Sequence, residues 1–127
     1  MSQEYLSVQD VLEIHEDQIE LYVGSHGVRD QGGLEAAVAR PQSGYYDDVL
    51  QEAAALWESL SQNHPFIDGN KRTSFAATHS FLYINDVTIT ADQDRAYEFI
   101  MEAFERQEMK FDVLEPWLRA NTQLREQ

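Results

Sequence analysis

The 127-residue chain has no cysteine. That excludes disulfides, thiolate zinc sites and a cysteine nucleophile. No run approaches the ~18–20 consecutive apolar residues of a membrane span. The opening Met1-Ser2-Gln3-Glu4 lacks the basic-then-apolar pattern of a secretory signal. A cytoplasmic location, with no membrane contact, is the expectation. No His-Glu-x-x-His stretch occurs, so a zincin site is excluded, and no nucleophile elbow is present to support a serine hydrolase. Lysine is scarce, with only Lys71 and Lys110 in the whole chain. Internal repeats and low-complexity tracts are absent as well.

Acid is plentiful. Asp and Glu number 23 against 9 Lys and Arg, for a formal charge of −14. A field of that sign repels nucleic acid, so direct DNA or RNA binding is not expected. An acidic, lysine-poor chain suits solubility in high salt, where the Debye length shrinks to ~3 Å at 1 M. An acidic protein from an ordinary salt regime has the same composition. With 43% hydrophobic residues, the chain is long enough to bury a core as one globular domain spanning residues 1–127.

Apolar spacing predicts about six helices and an all-α bundle. Val8, Val11, Leu12, His15, Ile19 and Tyr22 form one stripe, opened by a Ser7–Asp10 capping box and stopped at Gly24. His15 lies on its buried side and reads as a hydrogen-bonded supporting histidine rather than a ligand. Residues 24–33 hold four of the six glycines and read as turns. A short helix from Gly33 to Arg40 ends at Pro41. The loop after Gln42 carries Tyr45 and Tyr46, either as a contact surface or folded back on the core. Leu50, Ala53, Ala54, Trp57 and Leu60 mark a largely buried helix from Asp48 to Asn63, where Pro65 disfavours helical geometry at His64. Phe75, Ala76, His79, Leu82 and Tyr83 mark the next apolar face, with His79 expected in the core. Val87–Thr90 reads as an extended link. Asp92 or Asp94 caps a helix through Phe104, and Asp112 opens the last one as a capping box with Glu115 and Pro116 in its first turn.

Between the two central helices lies His64-Pro65-Phe66-Ile67-Asp68-Gly69-Asn70-Lys71-Arg72-Thr73. Gly69 allows close backbone approach and positive φ. A helix starting near Asn70 leaves N–H groups without intrahelical partners, and its dipole favours an anion there. Lys71, Arg72 and the Asn70 amide add donors, which together suit a polyphosphate. Asp68 is a hard oxygen ligand fit for magnesium, which takes only one or two protein carboxylates in nucleotide sites. His64 supplies an imidazole, the side-chain type suited to accepting a hydroxyl proton near neutral pH. Phe66 and Ile67 are expected to fill the core beneath the loop. The implied reaction moves a phosphorus-centred group from a nucleotide to a hydroxyl, by positioning and charge neutralisation. A structural loop is the competing reading. The stretch is not a Walker A loop, because position 65 is Pro and no strand precedes it.

These residues resemble the signature of the Fic/Doc superfamily, His-x-Phe-x-Asp/Glu-Gly/Ala-Asn-Gly/Lys-Arg, with lysine after the asparagine as in its Doc, or death-on-curing, branch. The stretch Gly27 to Gln42 (GVRDQGGLEAAVARPQ) and Ile14-His15-Glu16 are also similar to that branch, so the resemblance covers nearly the whole chain. It implies an all-α fold, His64 as the group that activates the target hydroxyl, and Asp68 as the magnesium ligand. Asn70, Lys71 and Arg72 would bind ATP phosphates, with Gly69 shaping the loop. It further implies a toxin of a type II toxin–antitoxin system that transfers the γ-phosphoryl group of ATP to a threonine of elongation factor Tu and arrests translation. The cognate antitoxin would bind through a C-terminal helix. AMP transfer, as in Fic proteins proper, and a non-catalytic nucleotide- or partner-binding domain are the alternatives. Phe75 stands where many Fic proteins carry a second arginine, which argues against AMP transfer. The loop from Gln42 to Asp48 is several residues shorter than in related Doc toxins and bears on target docking. Thr122 to Gln127 matches the self-inhibitory helix motif of Fic proteins only imperfectly, so no self-inhibition is expected.

Overall fold

A computed structural model describes residues 3–125. Six α-helices follow one another: α1 (Val8–Tyr22), α2 (Gln31–Ala39), α3 (Val49–Asn63), α4 (Asn70–Ile84), α5 (Gln93–Glu105) and α6 (Phe111–Ala120). A 3-10 turn, Arg40–Gln42, extends α2. Two three-residue strands, β1 (Val87–Ile89) and β2 (Thr122–Leu124), pair antiparallel with Thr88 opposite Gln123. The expected all-α architecture of about six helices is what the chain adopts, and this small strand pair is its only sheet among the described residues.

Helix α3 is the axis of the molecule and packs against α2, α4 and α6. Its run Ala53-Ala54-Ala55 is fully buried. Small side chains there let neighbouring helices approach closely. Trp57, also fully buried, anchors an aromatic cluster with Phe75 at 5.4 Å and Trp117 at 5.6 Å between ring centroids. The core is one contiguous set of apolar side chains, from Leu6 through Val11, Leu34, Leu56 and Phe81 to Leu118. Among the described residues Glu52 is the one carboxylate buried beside it, and it accepts hydrogen bonds from Gln3 Nε2 and Tyr5 Oη.

Helix termini follow the local chemistry in most places. Ser7 and Asp10 form the expected capping box, Asp92 caps α5, and α3 stops at Asn63 with His64 in left-handed geometry. Three expectations need correction. Helix α1 stops one residue early, at Val23 with φ 59°, rather than on Gly24. Helix α2 begins at Gln31, not Gly33, because the Asp30 carboxylate accepts from Gly33 N and starts the helix across two glycines. Helix α6 begins at Phe111, and Asp112 is not its cap. A carboxylate from α3 does that work instead: Glu58 Oε2 accepts from Phe111 N at 2.6 Å.

Tyr45 and Tyr46 divide the two roles left open for them. Tyr46 turns inward, accepting a hydrogen bond from Arg40 and stacking on Phe111, whereas Tyr45 is 83% exposed. The segment from Thr122 that superficially matches an inhibitory helix is strand β2 as far as Leu124; residues 126 and 127 lie outside the described residues.

Candidate functional site

The turn between α3 and α4 packs the motif into five loop residues, His64 to Asp68, closed by Gly69 as the N-cap of α4. His64 sits at φ 44° and ψ 57°. Left-handed backbone costs an L-residue roughly 1–2 kcal/mol, and a following proline disfavours helical geometry further. The conformation is therefore held by contacts around it. Gly69 has φ 78°, and a Cβ there would lie 3.0 Å from Ile19 Cδ1. Gly24 makes room for the site in another way: a Cβ on it would meet Asp68 Oδ2 at 2.8 Å.

Beneath the loop, His15 is buried, with its ring stacked on Phe66 at 3.9 Å and nearly parallel. Its Nε2–H donates to Asp68 O at 2.8 Å. The supporting role expected of His15 is what the structure shows. Phe66 is buried as expected, but Ile67 is 57% exposed and lines the cleft. The expectation that both fill the core fails for Ile67, because its N–H bonds to Gly27 O and an adjacent residue in extended backbone points the opposite way.

A cleft of about 970 Å³ opens over the loop, within the size range of small-molecule sites. His64, Asp68, Gly69, Asn70, Lys71 and Arg72 all face it, together with Tyr22 of α1, Phe75 and His79 of α4, and Tyr97, Met101 and Phe104 of α5. The first intrahelical bond of α4 is Thr73 N to Gly69 O, and no side chain caps this terminus. The N–H groups of Asn70, Lys71 and Arg72 thus point out of the helix start toward the cleft, the arrangement that binds anions.

Two cations, Lys71 and Arg72, stand beside that terminus. Arg40, Arg106, Arg119 and Arg125 form ion pairs with Glu58, Glu102, Asp48 and Asp86. Lys71 and Arg72 form none among the described residues. Instead Lys71 Nζ lies 5.0 Å from the Phe104 ring centroid and Arg72 Cζ lies 4.4 Å from that of Tyr22. In a chain of charge −14, they are the two cations that line this cleft.

Asp68 uses its carboxylate in the loop, accepting from Gly69 N at 2.9 Å and Ser25 N at 3.1 Å, while remaining exposed. Each oxygen keeps a lone pair for a hard cation. Asn70 differs from its expected part. Its amide lies across the backbone of Phe66, accepting from Phe66 N at 3.0 Å and donating to Phe66 O at 2.9 Å. The side chain braces the loop through the backbone of Phe66. His79, expected in the core, is exposed and stacks on Tyr83. Arg29 lies in the Gly27 to Gln42 stretch, where sequence reasoning assigns it no role. Its guanidinium holds the carbonyls of Asn63 and His64.

Fold and loop together define an all-α protein whose two central helices join at an uncapped helix N-terminus flanked by one histidine and one aspartate. The chain belongs to the Fic/DOC family, whose model matches residues 5–82. It is 44% identical over 110 residues to "Toxin Doc" of Mycolicibacterium smegmatis, covering 81% of this chain and 82% of that protein. It is also 29% identical over 89 residues to "Protein kinase doc" of Escherichia phage P1, covering 67% and 71%.

Proposed function

We propose that this chain is the toxin of a type II toxin–antitoxin pair and transfers the γ-phosphoryl group of ATP to a hydroxyl of a protein target. A threonine of elongation factor Tu is the target implied by the family resemblance. The observation that carries the reading is the convergence on one cleft of His64, Asp68, the open N-terminus of α4 and two cations without an ion pair among the described residues. The names of the two relatives, a toxin and a protein kinase, support it.

In this reading the α4 N-terminus, Lys71 and Arg72 hold the phosphates and stabilise charge as it shifts toward the leaving group. The target hydroxyl oxygen forms a bond to the γ-phosphorus, the bond to the β–γ bridging oxygen breaks, and ADP leaves. The imidazole of His64 takes the hydroxyl proton. Asp68 fits magnesium: it is an exposed hard-oxygen donor beside the anion cradle, and the remaining ligands would come from phosphate and water. Bound there, magnesium would neutralise phosphate charge. Asn70 and His15 keep the loop in shape.

AMP transfer is the second reading. Phe75 weighs against it, since its ring lines the cleft and packs on Trp57, so that wall offers no cation. A non-catalytic domain would not need His64 in a strained conformation facing the cleft. The toxin reading brings with it a cognate antitoxin that docks a C-terminal helix. Pull-down of the product of the adjacent gene tests that partner, and a failure to bind at micromolar concentration counts against it.

The deciding experiment supplies ATP labelled at either the γ- or the α-phosphate, with magnesium and elongation factor Tu. Label from γ alone is expected. Label from α alone would replace the proposal with AMP transfer. Transfer of neither, on that factor and on a cell lysate, would leave a binding domain.

A further inference from the structure

We propose that Arg29, which does not line the cleft, is the positioning residue that sets the direction of the His64 side chain. The need for it comes from Pro65. A helix ending in a left-handed residue ordinarily closes its last carbonyls with N–H groups of the next residues. Proline has no N–H to give, and it disfavours helical geometry at the residue before it. His64 is left-handed all the same, with φ 44°.

Arg29 supplies what proline removes. Its Nε and Nη2 both donate to His64 O, at 3.0 and 2.6 Å, and Nη2 also reaches Asn63 O at 3.3 Å. Two N–H groups on one carbonyl fix the plane of the His64–Pro65 peptide. The backbone N–H groups of Arg29 and Asp30 both donate to Pro65 O, at 2.7 and 3.0 Å. Three successive carbonyls, 63 to 65, are thus held from one dipeptide. The clamp is itself anchored, because Asp30 caps α2 and Asn63 Nδ2 donates to Gly33 O. The exit direction of the imidazole from the backbone follows from the φ and ψ the clamp maintains. A misplaced base loses rate without losing substrate affinity.

The inference rests on His64 acting as the base, and its test has a readout independent of that. The four histidines are followed by NMR of the 13C-labelled imidazoles in the wild type, Arg29→Ala and Arg29→Lys. In Arg29→Ala the His64 signal is expected to shift or broaden, with those of His15 and His79 unchanged. The same variant should lose at least about tenfold in kcat while the dissociation constant for ATP changes less than about twofold. Arg29→Lys, with one donor group on a flexible stem, should fall between, and free guanidinium should partly rescue Arg29→Ala. An unchanged His64 signal with kcat within about twofold of wild type overturns the proposal. So does a loss of ATP affinity matching the loss of kcat, which would make Arg29 a general support of the loop. If the wild type transfers nothing, the kinase reading fails and the His64 signal alone judges the clamp.

Discussion

Phe66 and Ile67 are adjacent, apolar and opposite in fate. Phe66 is 1% exposed against His15, whereas Ile67 stands in the cleft. Phe66→Ala should cost ~3–5 kcal/mol of stability, and Ile67→Ala about 0.5 kcal/mol or less. Denaturant melts read both, and equal costs would contradict the placement. On the proposed function, His64→Ala should abolish transfer yet leave ATP affinity within about twofold, because that reading assigns the phosphates to α4 and its cations. Calorimetry and the labelled assay check this, and retained transfer would remove His64 from the chemistry. Gly24→Ala is a subtler case. Its Cβ would press on Asp68 Oδ2, so magnesium dependence of activity should weaken while folding persists.

Helix α4 shows why periodicity misled in one place. The side it turns to α3 is made of Thr73, Ser74, Ala77 and Thr78, all buried. The hydroxyls of Ser74 and Thr78 donate to carbonyls one turn back within the helix, at Lys71 and Ser74. Short polar residues satisfied in this way pack like small apolar ones. Its apolar Phe75 and Ala76 and the exposed His79 face the cleft. Of the stripe that looks like a core face, Leu82 is buried in the core while Phe75, Ala76 and His79 line the cleft.

Helix ends carry the pH dependence. Burial raises the Asp48 pKa, but the Gln51 N–H and Arg119 outweigh it and hold the carboxyl below its ordinary value. A carboxyl depressed in the folded state adds stability that is present above the unfolded value, about 3.9, and is lost as pH falls through the folded one. Melting temperature should therefore drop below about pH 4 less steeply in Asp48→Asn than in the wild type. Parallel curves would deny the Asp48 contribution.

At the scale of the molecule, charge is the dominant feature. With −14 unrelieved charges, self-repulsion opposes the compact state. Melting temperature should rise as salt goes from low to about 1 M, and a steady fall would rule out that account. Arg125, just past the last strand, ties the chain together: its N–H donates to Asp86 O, and its guanidinium pairs with Asp86 at 2.9 Å. Removing residues 121–127 should lower the melting temperature without raising activity. A gain in activity would revive the inhibitory reading of that segment.

By itself the sequence determined the helices, several of their caps and the residues of the motif. Those depend on interactions within three or four residues, where spacing is geometry. Tertiary structure alone decided which side of α4 meets α3, that Glu58 rather than Asp112 starts α6, and that Arg29 holds the carbonyls behind His64. Each of these joins residues 34 or more apart in the chain, or turns on which neighbour a face finds, and hydrophobic patterning carries no record of such partners.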